Sequence, residues 1–300
     1  MERKCDCLVV GLGPAGVSAC IYLKRSSVDV LGIDKGEIGG KLNSIKEIEN
    51  YPSYIGSGEE LAKKMKDQID ELNVPYIKGK VSTINQEDDG FLVMTSEGDI
   101  KAKSVIVSSG ILEKPYKVIG SDSYFGNGIS RCAECDAAFY KNKPVGVYIE
   151  DEHGVKEAIY LSDIVESVYL VVKADYSSFS VEIREKVAQK NNISVYSNCE
   201  IVDSKGARHI EQIVLSNGET LKVDGLFLFI GASPISDFLG YLDVIDAKGF
   251  IKVDQNMKTS VPGFFAAGDI SNTNLRQVVS AVSDGAKAAI SARAYLKTLK

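Results

Sequence analysis

The sequence predicts an α/β protein made of two nucleotide-binding-type units, each three layers deep and each carrying a β-meander, with the second unit inserted into the first. Two observations carry this expectation. Twice a short apolar run ends in a turn, leads into an apolar-periodic helical stretch and is followed by another apolar run, over residues 5–33 and again over 145–172. That order gives parallel strands joined by a right-handed helical crossover. After each, short β-type runs separated by turns read as a meander, over 74–107 with turns at Asp89-Gly90 and Glu97-Gly98, and over 200–223 with a turn at Asn217-Gly218. A chain of 300 residues, 44% hydrophobic and 25% charged, suits about two domains with sizeable cores.

Residues 5–10 form the first strand, Gly11-Leu12-Gly13-Pro14-Ala15-Gly16 the turn, and residues 17–23 the start of a helix. In such a turn Gly11 permits the tight bend, Gly13 lets a pyrophosphate approach the backbone, and Gly16 lets helix and strand pack closely. The bare spacing is also met as a structural turn. Here the second strand, 28–33, ends in Asp34, an acid about twenty residues on that can hold ribose hydroxyls, so a Rossmann-like dinucleotide site is favoured. Gly39-Gly40-Lys41-Leu42 and a polar, aromatic turn, Glu49-Asn50-Tyr51-Pro52, come next. Residues 58–72 make an amphipathic helix with Leu61, Met65, Ile69 and Leu72 on one stripe. The meander returns at 105–107, and Ser108-Ser109-Gly110 is a second glycine turn.

Pro115 and a polar run over 113–120 mark a change of unit, which divides the chain into a discontinuous domain of residues 1–114 and 235–300 and an inserted domain of 115–234. Just inside the insertion lies Cys132-Ala133-Glu134-Cys135-Asp136. Two cysteines at this spacing can close a small disulfide, a helix starting at the first would favour its thiolate, and Asp136 can pass a proton to or from a leaving sulfur. The same spacing is half of many zinc sites, but no second C-x-x-C exists and the only histidines are His153 and His209. An inert core pair is the remaining alternative to a redox dithiol. Cys5, Cys7, Cys20 and Cys199 read as buried free thiols.

The insertion continues with strands at 145–149 and 168–172 around a helix at 155–161, then its meander, a strand at 226–230 and the turn Gly231-Ala232-Ser233-Pro234. In the tail, residues 264–267 run into Gly268-Asp269, and Leu275-Arg276-Gln277-Val278 opens a long helix. A plain β-to-helix turn would explain this. Beside the first glycine turn, an acid that can grip a polyol and a helix N-terminus that can face an electron-rich ring point to a flavin dinucleotide.

Laid over one another through Ile21-Tyr22-Leu23 and Ile159-Tyr160-Leu161, the two units differ at the turn. Gly16 falls on Gly154, but Gly11 falls on Ile149 and Gly13 on Asp151, leaving Ile149-Glu150-Asp151-Glu152-His153-Gly154. A carboxylate about 6 Å from a phosphate charge costs about 2.8 kcal/mol at an effective dielectric near 20, so three acids oppose a pyrophosphate unless other contacts compensate them.

A net charge of −6 argues against a general nucleic-acid-binding role, and no apolar run is long enough to span a membrane. Six cysteines without a secretory signal fit a reducing cytoplasm.

With these motifs in view, the chain resembles the low-molecular-weight thioredoxin reductases over nearly all its length. The resemblance implies an FAD domain built from both ends of the chain, a smaller inserted domain carrying the dithiol, and a homodimer. It implies that Cys135 faces the flavin, Cys132 attacks the disulfide of thioredoxin, and Asp136 donates the proton. It places Asn50, Asp269 and Gln277 against FAD, together with Gly11, Gly13, Pro14, Ala15, Gly16, Asp34, Gly40, Lys41, Leu42, Val81, Gly110, Gly268, Arg276 and Val278. NADPH-dependent members carry a glycine-rich turn and a basic cluster in the inserted domain, where this chain has Ile149 to Gly154 and Val172-Lys173-Ala174-Asp175-Tyr176. In this the chain is similar to ferredoxin-dependent flavin thioredoxin reductases. Plant-type ferredoxin near −400 mV and thioredoxin near −270 mV make the two-electron transfer downhill by roughly 130 mV, about 6 kcal/mol. NADPH as donor, and a flavin-bearing redox sensor that does not turn over, are the alternatives. Lys63-Lys64-Met65-Lys66 is either ground for an acidic ferredoxin or a solvated helix face.

Overall fold

The computed structural model describes residues 3–115, 118, 124, 126–239 and 242–299. Of the expected junction at 113–120, residues 116, 117, 119 and 120 lie outside these. The chain divides into two compact units, residues 1–112 with 233–300, and residues 113–232.

The first unit opens with β1 (Arg3–Val10), α1 (Pro14–Arg25) and β2 (Val30–Asp34). A 3-10 turn over Gly40–Ser44 precedes β3 (Ile48–Tyr51) and β4 (Tyr54–Gly56), an antiparallel hairpin. The sequence suggested only a turn at Glu49 to Pro52. Ser53, at φ 66°, makes the reversal, and the residues before it pair with β4. Then come α2 (Gly58–Glu71), β5 (Tyr76–Lys78), β6 (Val81–Glu87), β7 (Gly90–Thr95), β8 (Ile100–Val107) and β9 (Ile111–Glu113). Ser57 caps α2 by accepting from the Glu60 N–H at 3.2 Å, and Leu61, Ala62, Met65 and Ile69 form its buried stripe.

The second unit runs through β10 (Ile129–Ser130), α3 (Ala133–Asp136), β11 (Pro144–Ile149), α4 (Val155–Ser162), β12 (Ser167–Val172), α5 (Val181–Ala188) and β13 (Ile193–Tyr196). It ends with β14 (Ile201–Lys205), β15 (Gln212–Leu215), β16 (Thr220–Lys222) and β17 (Gly225–Phe229). The chain leaves it at β18 (Ala232–Pro234), and the first unit is completed by β19 (Phe264–Ala266) and α6 (Val278–Thr298).

In the first unit the sheet order is β5-β2-β1-β8-β7-β6, with β19 also on β8. Strand β8 changes partner along its length. Ile100 to Ala102 pair antiparallel with β7, whereas Val105 to Val107 pair parallel with β19. This fork lets one strand serve both the parallel sheet and the meander. Along β1 the faces alternate as a strand requires: Cys7 and Val9 pack under α1, α2 and α6, while Leu8 and Val10 pack with Ile84, Phe91 and Val93 of the meander. The second unit repeats the plan with the parallel order β10-β17-β11-β12-β13 and the meander β14-β15-β16. Val145, Val147 and Ile149 face α4, whereas Tyr148 faces the meander.

Candidate functional site

The carboxyl ends of β1, β2, β8 and β19 lead into the residues the sequence singled out, the usual ligand-binding end of a parallel sheet. Gly11 has φ +97° and a Cβ there would stand 2.4 Å from the Ser108 carbonyl oxygen, so only glycine makes this bend. A Cβ on Gly16 would lie 1.8 Å from the Gly11 oxygen, which is why helix and strand can touch there. At Gly13 the nearest atom to such a Cβ is 4.0 Å away, and α1 starts on this residue with Pro14 next and no side-chain cap. The first N–H groups of α1, at Ala15 and Gly16, are thus left to an anion. Asp34 braces the turn, accepting from the Leu12 N–H at 2.6 Å and the Gly36 N–H at 2.8 Å.

The Gly39–Leu42 segment is tied to the same turn. Gly39 N–H donates to the Leu12 oxygen at 2.8 Å, and a Cβ on Gly40 would be 3.4 Å from Gly13 Cα. Lys41 is exposed, and Leu42 is buried beneath the loop. Gly268, at φ +74°, abuts the other side, where its Cβ would meet that of Ala15 at 3.0 Å. Asp269 follows in a 3-10 turn, half-buried. Asn50 donates to Gln277 Oε1 at 3.1 Å, joining positions far apart in sequence. Gln277 is the N-cap of α6 in a reciprocal capping box with Ser280, so the helix begins at Val278 and not at Leu275. Arg276 donates to the Asp269 and Ser271 carbonyls, both at 3.4 Å, and its guanidinium lies 4.4 Å from the centre of the Phe250 ring. Gly110, at φ +70°, has open space where a Cβ would be. Val81 is different, because its side chain packs in the core with Val10 and Ile33, which leaves only its backbone for a ligand.

One residue of this region was not singled out from sequence. Asp284 of α6 is 6% exposed, its Oδ2 has no hydrogen-bond partner among the described residues, and burial pushes its carboxyl up despite Lys287 at 3.6 Å and a bond to the Gly268 backbone. A lone acid in the small-residue run Ser280-Ala281-Val282-Ser283-Asp284-Gly285 was the available signal.

In the second unit Cys132 and Cys135 are joined in a disulfide, with Cys132 half-buried and Cys135 exposed. The helix expected at Cys132 is a single turn, α3, so its dipole is small. The local donor to sulfur is instead the Cys135 N–H, 3.2 Å from Cys132 Sγ. Asp136 is half-buried; burial raises its carboxyl, and a hydrogen bond from Ser130 acts the other way. Tyr140 nearby is pushed up to about 12, chiefly by burial. The remaining cysteines are free and buried, and burial raises Cys7 and Cys20 to about 12.

The turn over residues 149–154 keeps one feature of its counterpart. A Cβ on Gly154 would stand 2.4 Å from Ile149 Cγ2, just as Gly16 sits on Gly11 five residues back. Ile149 itself is fully buried and points into the core. The three acids are not unbalanced, as the sequence suggested. Glu150 pairs with Lys114 at 3.1 Å, Asp151 accepts from the His153 N–H at 2.9 Å, and Glu152 accepts from the Ser180 N–H at 2.9 Å. The simple three-charge penalty is therefore too large. What takes its place is that one of the chain's own carboxylates, Asp151, occupies a backbone donor of this turn, the His153 N–H. Beyond β12, Lys173 is held by Glu200 at 2.8 Å and Asp175 accepts from the Ser177 N–H.

A family model of the pyridine nucleotide-disulphide oxidoreductases matches residues 5–285. A thioredoxin reductase of Treponema pallidum is 34% identical over all of this chain and all of its own. The chain belongs to the thioredoxin reductase family. A thioredoxin reductase structure from Streptococcus pyogenes has a TM-score of 0.93 at 31% identity, covering 99% of this chain and 100% of its own. A ferredoxin-flavin thioredoxin reductase from Clostridium acetobutylicum scores 0.56 at 26% identity, covering 99% of both. Thioredoxin reductases are FAD-binding flavoproteins that work through a redox disulfide, here Cys132–Cys135. The open Gly13, the uncapped start of α1 and the brace of Asp34 fit such a cofactor.

Proposed function

We propose that this chain is a thioredoxin reductase that takes its electrons from reduced ferredoxin and not from NADPH. The observation that carries the reading is the contrast between the two turns. At the start of α1 a glycine without side chain leaves the first N–H groups to a phosphate. At the matching place in the second unit, Asp151 already accepts from the His153 N–H. A pyrophosphate would have to displace that carboxylate and then sit beside it. Nor does the segment Val172 to Tyr176 at the end of β12 hold a pair of arginines for a 2'-phosphate, and its one lysine, Lys173, is already held by Glu200.

On this reading the residues 1–114 and 235–300 form the FAD domain, with the pyrophosphate over Gly11 to Gly16 and Gly40, and the flavin near Asn50, Asp269 and Gln277. The inserted residues 115–234 carry the dithiol. Bound FAD supplies conversion of single electrons from ferredoxin into the electron pair that a disulfide requires. Cys132 and Cys135 take up that pair and two protons to become a dithiol. The Cys132 thiolate then attacks the thioredoxin disulfide, forming a mixed disulfide and releasing a thiolate that takes the proton of Asp136. Cys135 then returns a proton to Asp136 and attacks Cys132 Sγ, which restores the disulfide and frees the second thioredoxin sulfur to take up the equivalent of the proton that Cys132 released to solvent, so two electrons and two protons leave for the two of each received. Burial of Asp136 raises its carboxyl and so favours the protonated form that can donate.

The test is steady-state reduction of thioredoxin under argon with either donor. Turnover with reduced ferredoxin and none with NADPH is expected. Comparable turnover with NADPH overturns the reading.

A further inference from the structure

Ser130, the last residue of β10, is 7% exposed and lies two positions before the first cysteine. Its Oγ accepts from the Cys132 N–H at 3.0 Å, which fixes one lone pair. Its single proton has two acceptors within reach, the Cys132 carbonyl oxygen at 3.3 Å and the carboxyl of Asp136. The Asp136 N–H donates to that same Cys132 carbonyl at 3.3 Å, so carboxyl, hydroxyl and the Cys132 peptide form one small network.

We propose that Ser130 is a positioning residue whose hydroxyl turns between the Cys132 carbonyl and the Asp136 carboxylate, holding the carboxyl toward the sulfur pair in both of its protonation states. When Asp136 carries its proton it donates to Ser130 Oγ, and the hydroxyl proton points at the carbonyl. When Asp136 has given the proton up, the hydroxyl rotates and donates to the carboxylate. Rotation about one C–O bond is rapid, and it replaces the reorganisation of water that a half-buried carboxylate would otherwise need. The reading rests on Asp136 being the proton donor in thioredoxin reduction.

Burial raises this carboxyl and the Ser130 hydrogen bond opposes it, while the ionisable groups around it are engaged elsewhere. Tyr140 stays neutral through the working range, and Asp224 reaches Tyr140. Arg131 is paired with Glu113 at 3.0 Å, Lys156 and Glu157 of α4, which packs on α3, lie 3.6 Å apart, and Glu134 is exposed.

The experiment is single-turnover reduction of thioredoxin by the dithionite-reduced holoenzyme across pH 5 to 10. This chain has no tryptophan, so the tryptophan emission of a thioredoxin reports the acceptor alone. A donor is lost as pH rises through its pKa, and Ser130 holds that pKa down. Ser130→Ala should therefore move the alkaline limb up by about one pH unit and lower the plateau about tenfold, while Ser130→Thr keeps the limb in place. In an Asp136→Asn background the loss from Ser130→Ala should shrink to less than about twofold, as two residues acting as a unit require. Should Ser130→Ala be recovered unfolded, Ser130→Gly, which leaves room for water, is read the same way. An unmoved limb, or a Ser130→Ala loss of equal size in both backgrounds, makes Ser130 a mere turn residue and overturns the proposal. An Asp136→Asn enzyme with an unchanged profile overturns the donor reading itself, and Ser130 with it.

Discussion

Replacing Asp34 by alanine tests whether the glycine turn is braced for the cofactor. Both carboxylate oxygens accept backbone N–H groups, from Leu12 at 2.6 Å and from Gly36 at 2.8 Å, and Leu12 lies between Gly11 and Gly13. Hydrogen bonds to a charged group contribute about 1.5–3 kcal/mol each, and since Asp34 is only half-buried the lower end applies, about 3 kcal/mol for the pair. A turn released by that amount spends about one part in a hundred in the binding form, and the apparent Kd rises by the same factor. Apoprotein titrated with FAD, followed by quenching of flavin fluorescence, should give a Kd about a hundredfold above wild type for Asp34→Ala. Asp175→Ala is the control. It removes a similar bond, to the Ser177 N–H at 2.9 Å, from the other unit and should leave the FAD Kd within about twofold. An Asp34→Ala Kd within about threefold of wild type would refute the brace.

Cys132→Ser and Cys135→Ser should each abolish thioredoxin reduction while FAD stays bound and yellow, read by turnover and absorbance together. Cys5, Cys7 and Cys20 should resist iodoacetamide at pH 8 in the native enzyme and react fully in guanidinium, since burial keeps all three protonated. Burial raises the carboxyl of Asp284, so the folded state holds its proton more tightly than the unfolded state does. The stability this contributes is present below the unfolded value near 3.9 and is lost as pH rises through the folded one, so Asp284→Asn should gain in melting temperature over wild type between pH 4 and pH 7. An equal difference at both pH values would sink that reading.

Much of the architecture was legible because glycine and the apolar period are strong local signals. Gly11, Gly16 and Gly268 each stand where a Cβ would collide with backbone or a packed neighbour, so their spacing in sequence is a spacing in space. Leu61, Met65 and Ile69 announced α2 because its helical stripe has one buried face. The hairpin of β3 and β4 was not legible, since Asn50, Tyr51 and Pro52 have turn chemistry and the pairing is made by a neighbour. Asp284 stands out in its segment only as a lone acid among small residues, a weak signal, because the contact that buries it against Gly268 is made across the fold. The compensation of the acids after β11 is left open by the sequence, because the partners that hold Glu150 and Glu152, Lys114 and Ser180, lie about thirty residues away on either side.

The flavin itself reports the source of the electrons. The oxidised holoenzyme is mixed anaerobically in a stopped-flow instrument with NADPH at micromolar concentration, or with reduced ferredoxin, and the yellow absorbance is followed. Bleaching by ferredoxin alone is the expected result. Rapid bleaching by NADPH would contradict it.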